Sequence, residues 1–292
     1  MVAPEVVGGA GPEEVWRGMS TVAGSWIGGG ANQAAMYEIF EPSDGLYSMM
    51  ITVDVIVAEV WMAFLLLGVG RSEAIDRFFK ADATSVTNLK NKMHEFSQRI
   101  AKIPTTTDFF IILGIALGAT GIAHLFADNI APFIQENAPF LERFSLTSHF
   151  FWLIVIATAI GIILSFTRAR NYEGAGASKI GSIFIYFLVA TIGMKMNITE
   201  IFHNPGIFLV GLLWMVVHVG LLFLVGKLIR APYFFLAVGS KANIGGAASA
   251  PVVAAAFHPS LAPVGVLLAV VGYAIGTYGA WFCGILMQTV SP

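Results

Sequence analysis

Two acids, one base and two amides carry most of the chemistry this chain can offer. Asp54 and Glu59 lie in the stretch TVDVIVAEVWMAFLL, and Lys241 lies in SKANIGGAASAP; the surrounding residues are apolar or small. A charge near a bilayer centre costs about 2.5–3.5 kcal/mol on insertion scales, so each needs a partner or a task. Asn32 and Asn243 each sit beside clustered glycines. Asp54 with the carbonyl oxygens of Asn32 and Asn243 would make an oxygen donor set for Na+, and the carboxyl alone would carry a proton. Glu59 is five residues on, about 140° around a helix, so the two acids do not easily share one ligand shell. Glu59 is read either as a further ion-coupling residue or as a structural acid, salt-bridged or protonated. Lys241 would hold a substrate carboxylate, alternate with Asp54 as an ion pair, or offset the negative ends of nearby half-helices. His218 would relay a proton or bond a facing carbonyl.

The elements that must position these residues are membrane helices. Of 292 residues, 57% are hydrophobic and 12% charged, where a soluble domain carries about twice that charged share. A mean hydropathy of +0.77 excludes a disordered chain, a basic nucleic-acid binder and almost any cytosolic enzyme. A crossing needs about 20 mostly apolar residues, which places spans near 47–69, 108–127, 146–166, 180–197, 206–226 and 261–288. Two further segments, 16–40 and 233–257, are long enough but interrupted by glycine. The expected fold is therefore an all-α polytopic membrane protein of about eight segments. Its parts are an extension over 1–15, a broken helix and a span over 16–69, a linker over 70–107, and the remainder over 108–292. Lone Cys283 permits no intrachain disulfide and reads as a buried apolar residue.

Basic residues set the expected orientation. Strict alternation puts Arg17, Arg71, Arg77, Lys80, Lys90, Lys92, Arg99, Lys102, Arg168, Arg170, Lys179, Lys227 and Arg230 on one side, leaving Arg143 and Lys195 on the other. The 70–107 linker and the C-terminus are then cytoplasmic. Within the linker, Leu89, Met93, Phe96 and Ile100 recur at helical spacing beside Lys90, Lys92, Arg99 and Lys102, as in an amphipathic helix on the membrane surface or a solvated linker.

The broken segments are the most informative. Gly24-Ser25-Trp26-Ile27-Gly28-Gly29-Gly30-Ala31-Asn32 and Gly239-Ser240-Lys241-Ala242-Asn243-Ile244-Gly245-Gly246 both open on Gly-Ser, and both carry Ile-Gly-Gly and an Asn. Each interior glycine costs a helix about 1 kcal/mol, so the clusters should unwind it. Unwound backbone within a membrane survives only where it lines a cavity or is buried in protein. Ser25, Gly28, Gly29, Gly30, Ser240, Lys241, Gly245 and Gly246 are the expected substrate-binding set. The plain alternative is that these glycines only let helices pack closely.

These two stretches, with TVDVIVAEVWMAFLL and FLVATIGMKMNI, resemble the YjcL-like integral membrane family of unassigned function, which is related to the cation–proton antiporter, bile-acid symporter and anion transporter superfamily. The likeness runs from about residue 15 to the C-terminus. It implies two inverted repeats with crossed broken helices, an elevator-like core, Asp54 at the acidic position, a homodimer and a bacterial cytoplasmic membrane. Two departures stand out. The N-terminal repeat is expected to lack three or four spans, and Lys241 occupies a place where a small amide is expected. Both broken segments also run in the same direction by this span count, whereas inverted repeats need an odd offset.

No phosphate-binding Gly-Lys-Ser/Thr loop is present, no His, Cys and carboxylate set has metal-ligand spacing, and no Ser has a His at a helical offset. The chain is thus expected to be no enzyme and to need no cofactor beyond a coupling Na+ or H+. The expected function is ion-coupled secondary transport of a small anionic or zwitterionic metabolite; a passive channel or a partner-dependent subunit is the alternative. The bilayer and the small molecule are the expected partners, and nucleic acid is not.

Overall fold

The computed structural model describes residues 4–144, 146–147, 149–194, 199, 204–258 and 261–291. Lys195 and the end of the predicted 180–197 segment lie outside the described residues. Among those described there are thirteen α-helices and no strand. They are α1 (Pro4–Val7), α2 (Val15–Gly28), α3 (Gly30–Phe40), α4 (Asp44–Val69), α5 (Ser72–Phe79), α6 (Thr84–Ile100), α7 (Thr106–Asn137), α8 (His149–Ser165), α9 (Ala177–Gly193), α10 (Pro205–Ile229), α11 (Tyr233–Asn243), α12 (Ala250–Phe257) and α13 (Ala262–Val290).

Four of these, α4, α7, α10 and α13, are long and apolar enough to cross a membrane; a fifth results if Trp152–Ser165 and Arg168–Ala175, bent by 88°, count together. The chain is membrane-embedded. Two of the remaining predicted spans, α8 and α9, are 17 residues each.

The two glycine-broken segments are not spans at all: each folds back on itself. Gly29, at φ 95°, ends α2, and α3 begins at the next residue. Its direction is reversed, because the Trp16 and Phe40 rings lie 5.5 Å apart and Arg17 Nη1 donates to the Phe40 carbonyl at 2.7 Å. A straight helix would separate residues 16 and 40 by about 36 Å. The second segment behaves alike. After α11 the chain turns through Gly245 and Gly246, both at positive φ, and α12 returns until Phe257 meets Tyr233 and Phe234 at 5.8 and 5.3 Å.

α4 and α13 run past both hairpins, in opposite senses. Near its start α4 lies by the base of the first hairpin, where Tyr47 stacks on Tyr37 at 4.2 Å. Near its end the Leu65 carbonyl accepts from Tyr233 Oη at 2.8 Å, at the base of the second. Gly272 of α13 abuts Ala242, Gly276 abuts Gly28, and Gly284 abuts Phe40. The hairpins therefore approach each other from opposite ends of the bundle. The C-terminal end of α13, where Gly284 abuts Phe40, lies by the base of the first hairpin, and the end of α4 lies by the base of the second.

Local sequence explains the helix starts. Ser43 caps α4 by accepting from the Leu46 N–H, and Thr105 with Asp108 forms a reciprocal capping box on α7. In α6 the predicted apolar stripe is half-buried, with Val86, Leu89 and Met93 packed on the main core. α7 and α10 carry long rows of exposed Leu, Val, Ile and Phe, as lipid-facing helices do.

Candidate functional site

The tips of the two hairpins touch. A Cβ added to Gly29 would lie 3.0 Å from the Gly246 Cα, and the Gly245 N–H points to the Ser25 carbonyl at 3.5 Å. The glycines have divided duties. Gly29, Gly245 and Gly246 supply left-handed turns, whereas Gly28 packs against Gly276 of α13. Gly30 opens α3.

Asp54, 6% exposed, sits on α4 beside the first tip. Trp26 Nε1 donates to its Oδ1 at 2.6 Å and Gln33 Nε2 to its Oδ2 at 3.0 Å. α2 and α3 thus each contribute a donor, and the hairpin is what brings Trp26 and Gln33 to one carboxyl.

Lys241, 0% exposed, belongs to the second tip. Its ammonium donates to the Ala58 carbonyl at 3.4 Å and lies 3.7 Å from Glu59 Oε1. Ala58 is one turn along α4 from Asp54, so a single helix receives both tips. Glu59 is half in the open, its side chain 52% exposed. The neighbouring Ser240 hydroxyl is held by Trp61 Nε1 at 2.8 Å and by His218 Nε2 at 2.9 Å. The Ser249 hydroxyl donates to the carbonyls of Lys241 and Ile244.

The expected residues do not all converge. Asp54, Ser25, Gly29, Lys241, Gly245 and Gly246 gather at the tips. Asn32 does not reach Asp54: its Nδ2 donates to the Tyr273 carbonyl at 3.0 Å, tying the first hairpin to α13. Asn243 is exposed and its Oδ1 lies near Gly272. The amide that serves Asp54 is Gln33, which the sequence reading passed over although it is Asn32's neighbour. Tyr273 is a second omission; its Oη accepts from the Ala247 N–H at 2.9 Å and so braces the second tip. His218 bonds a side chain, not the facing carbonyl considered from sequence.

Fold and site together define an all-α, membrane-embedded protein built on two helical hairpins that meet tip to tip around buried charges. Residues 7–290 match the family described as "Protein of unknown function (DUF819)", and the chain belongs to that family. No curated protein and no solved structure matches it.

Proposed function

We propose that this protein is an ion-coupled secondary transporter for a small anionic or zwitterionic metabolite, with its site between the two hairpin tips. The observation that carries this reading is that one turn of α4 receives both hairpins: Trp26 of the first donates to Asp54, and Lys241 of the second donates to the Ala58 carbonyl four residues on. Irregular backbone at membrane depth, half-helix ends directed at one point and buried ionisable groups form the arrangement that secondary transporters use. The first turns of α3 and α12, with the Lys241 ammonium, suit an anion; Asp54 suits Na+ or H+.

The hairpins also favour an inverted-repeat plan. Reading α8 and α9 as crossings, α4 is the first crossing and α13 the sixth, an odd offset that makes the two hairpin-plus-span units antiparallel. This removes the parity conflict of the sequence reading. It moves Arg17 to the side of Arg143 and Lys195, and it leaves Arg71, Arg77, Lys80, Lys90, Lys92, Arg99, Lys102, Arg168, Arg170, Lys179, Lys227 and Arg230 on the cytoplasmic face. In this reading the hairpins with α4 and α13 form the moving core of an elevator, and the protein works as a dimer in a bacterial cytoplasmic membrane.

The test is thermal unfolding of the purified protein in Na+ against K+ or choline at several pH values, with Asp54→Asn alongside. A cation bound only by the folded state raises stability as RT ln(1 + [L]/Kd). A rise specific to Na+, or a pH dependence, that disappears in Asp54→Asn is expected. Cation- and pH-independent unfolding in the native protein would sink the coupled reading, and saturation-free uptake by Asp54→Asn in proteoliposomes would favour a channel.

A further inference from the structure

Away from the hairpins, the fold assembles a ligand set that sequence spacing did not announce. His124 and Asp128 are four residues apart on α7 and therefore share a face. Across from them stands His149, the first residue of α8. One ligand atom from each of the three lies within 4.8 Å of the others. His149 Nε2 is 2.7 Å from Asp128 Oδ1, and the two imidazole rings are 5.7 Å apart, centre to centre, with their planes inclined by 36°.

We infer that His124, Asp128 and His149 form a binding site for a divalent transition metal of the zinc class. Two imidazoles and one carboxylate are a donor set for Zn2+, and too rich in nitrogen for Mg2+ or Ca2+. With Zn–N and Zn–O bonds of about 2.0–2.2 Å, tetrahedral ligand atoms sit about 3.4 Å apart. The three side chains therefore need to close by no more than about 1.5 Å, and because His124 and Asp128 are exposed, rotamer changes supply it. The same exposure leaves a fourth position for water. The site would tie α7 to α8 at the end of the bundle opposite the α7 capping box, far along the chain from Asp54 and Lys241. It does not depend on the transport reading.

The test uses protein purified without a histidine tag, stripped with chelator and titrated with ZnCl2 by calorimetry, with CoCl2 absorption as a report on coordination. Expected are one saturable Zn2+ site per chain, intense Co2+ visible bands of a tetrahedral complex, and no response to Mg2+. His124→Gln, His149→Gln and Asp128→Asn should each weaken Zn2+ at least tenfold while helix content and elution volume stay unchanged. The absence of saturable Zn2+ binding would overturn the assignment, as would binding that survives His149→Gln. If a variant misfolds, the Co2+ spectrum of the native protein still decides: bands of a six-coordinate aquo ion alone would count against the site.

Discussion

Gln33 and Asp54 meet at 3.0 Å although they are 21 positions apart and a reversal of chain direction lies between them. The pairing exists because α3 turns back at Gly29. Had the segment continued as one helix, Gln33 would have pointed away along the axis.

Gln33→Ala removes one of the two side-chain donors described at a buried carboxyl, which costs about 1–3 kcal/mol. If the Asp54 carboxyl holds the coupling ion, the same change should also raise the cation concentration for half-maximal thermal stabilisation at least tenfold. Asn32→Ala should lower the melting temperature through its lost bond to Tyr273 yet leave that concentration unchanged. The reverse outcome, with Asn32 governing the cation response, would support the ion set expected from sequence.

Two glycines seven residues apart should respond with opposite signs. Gly246 has φ 58°, and an added Cβ would lie 2.7 Å from the Tyr273 ring, whereas nothing lies within 4 Å of a Cβ on Gly239. Gly246→Ala is expected to destabilise by about 1–3 kcal/mol for the backbone strain alone. Gly239→Ala is expected to be neutral or stabilising by up to about 1 kcal/mol, as Gly→Ala is in a helix interior. Denaturant unfolding in detergent measures both, and equal effects would show that the second tip does not hold the turn described.

Lys241 and Glu59 should prove unequal partners. Glu59 is half-exposed and 3.7 Å away, so its share of the pair is screened, and Glu59→Gln should change stability by less than about 1 kcal/mol. Lys241→Ala empties a sealed position and removes the donor that the Ala58 carbonyl has beyond its own helix, at a cost of about 2–5 kcal/mol. Chemical denaturation of the two variants compares them. A Glu59 effect as large as that of Lys241 would mean that the ion pair, not the carbonyl, fixes the lysine.

Sequence reading located the breaks because glycine clusters are rare where a helix must cross a membrane. It could not tell a broken span from a hairpin, since 25 residues fit either. One feature fits the hairpin. The halves of the first segment are 14 and 11 residues, each short of a crossing on its own. The choice between Asn32 and Gln33 was out of reach, because adjacent residues on a helix face about 100° apart and only the fold says which faces α4. Asp54 and Lys241 were legible from their sheer cost in an apolar setting. His124, Asp128 and His149 were not, because their third member arrives from another helix.

The shared seat on α4 has a thermodynamic corollary. One rigid rod carries the Asp54 carboxyl that the first hairpin grips and, a turn on, the Ala58 carbonyl that the second hairpin's lysine grips. A ligand that shifted that rod on filling one grip would change the free energy of filling the other. If the proposed ion binds at Asp54 and the proposed anion at Lys241, linkage requires reciprocity: any factor by which one changes the affinity of the other must act equally in both directions.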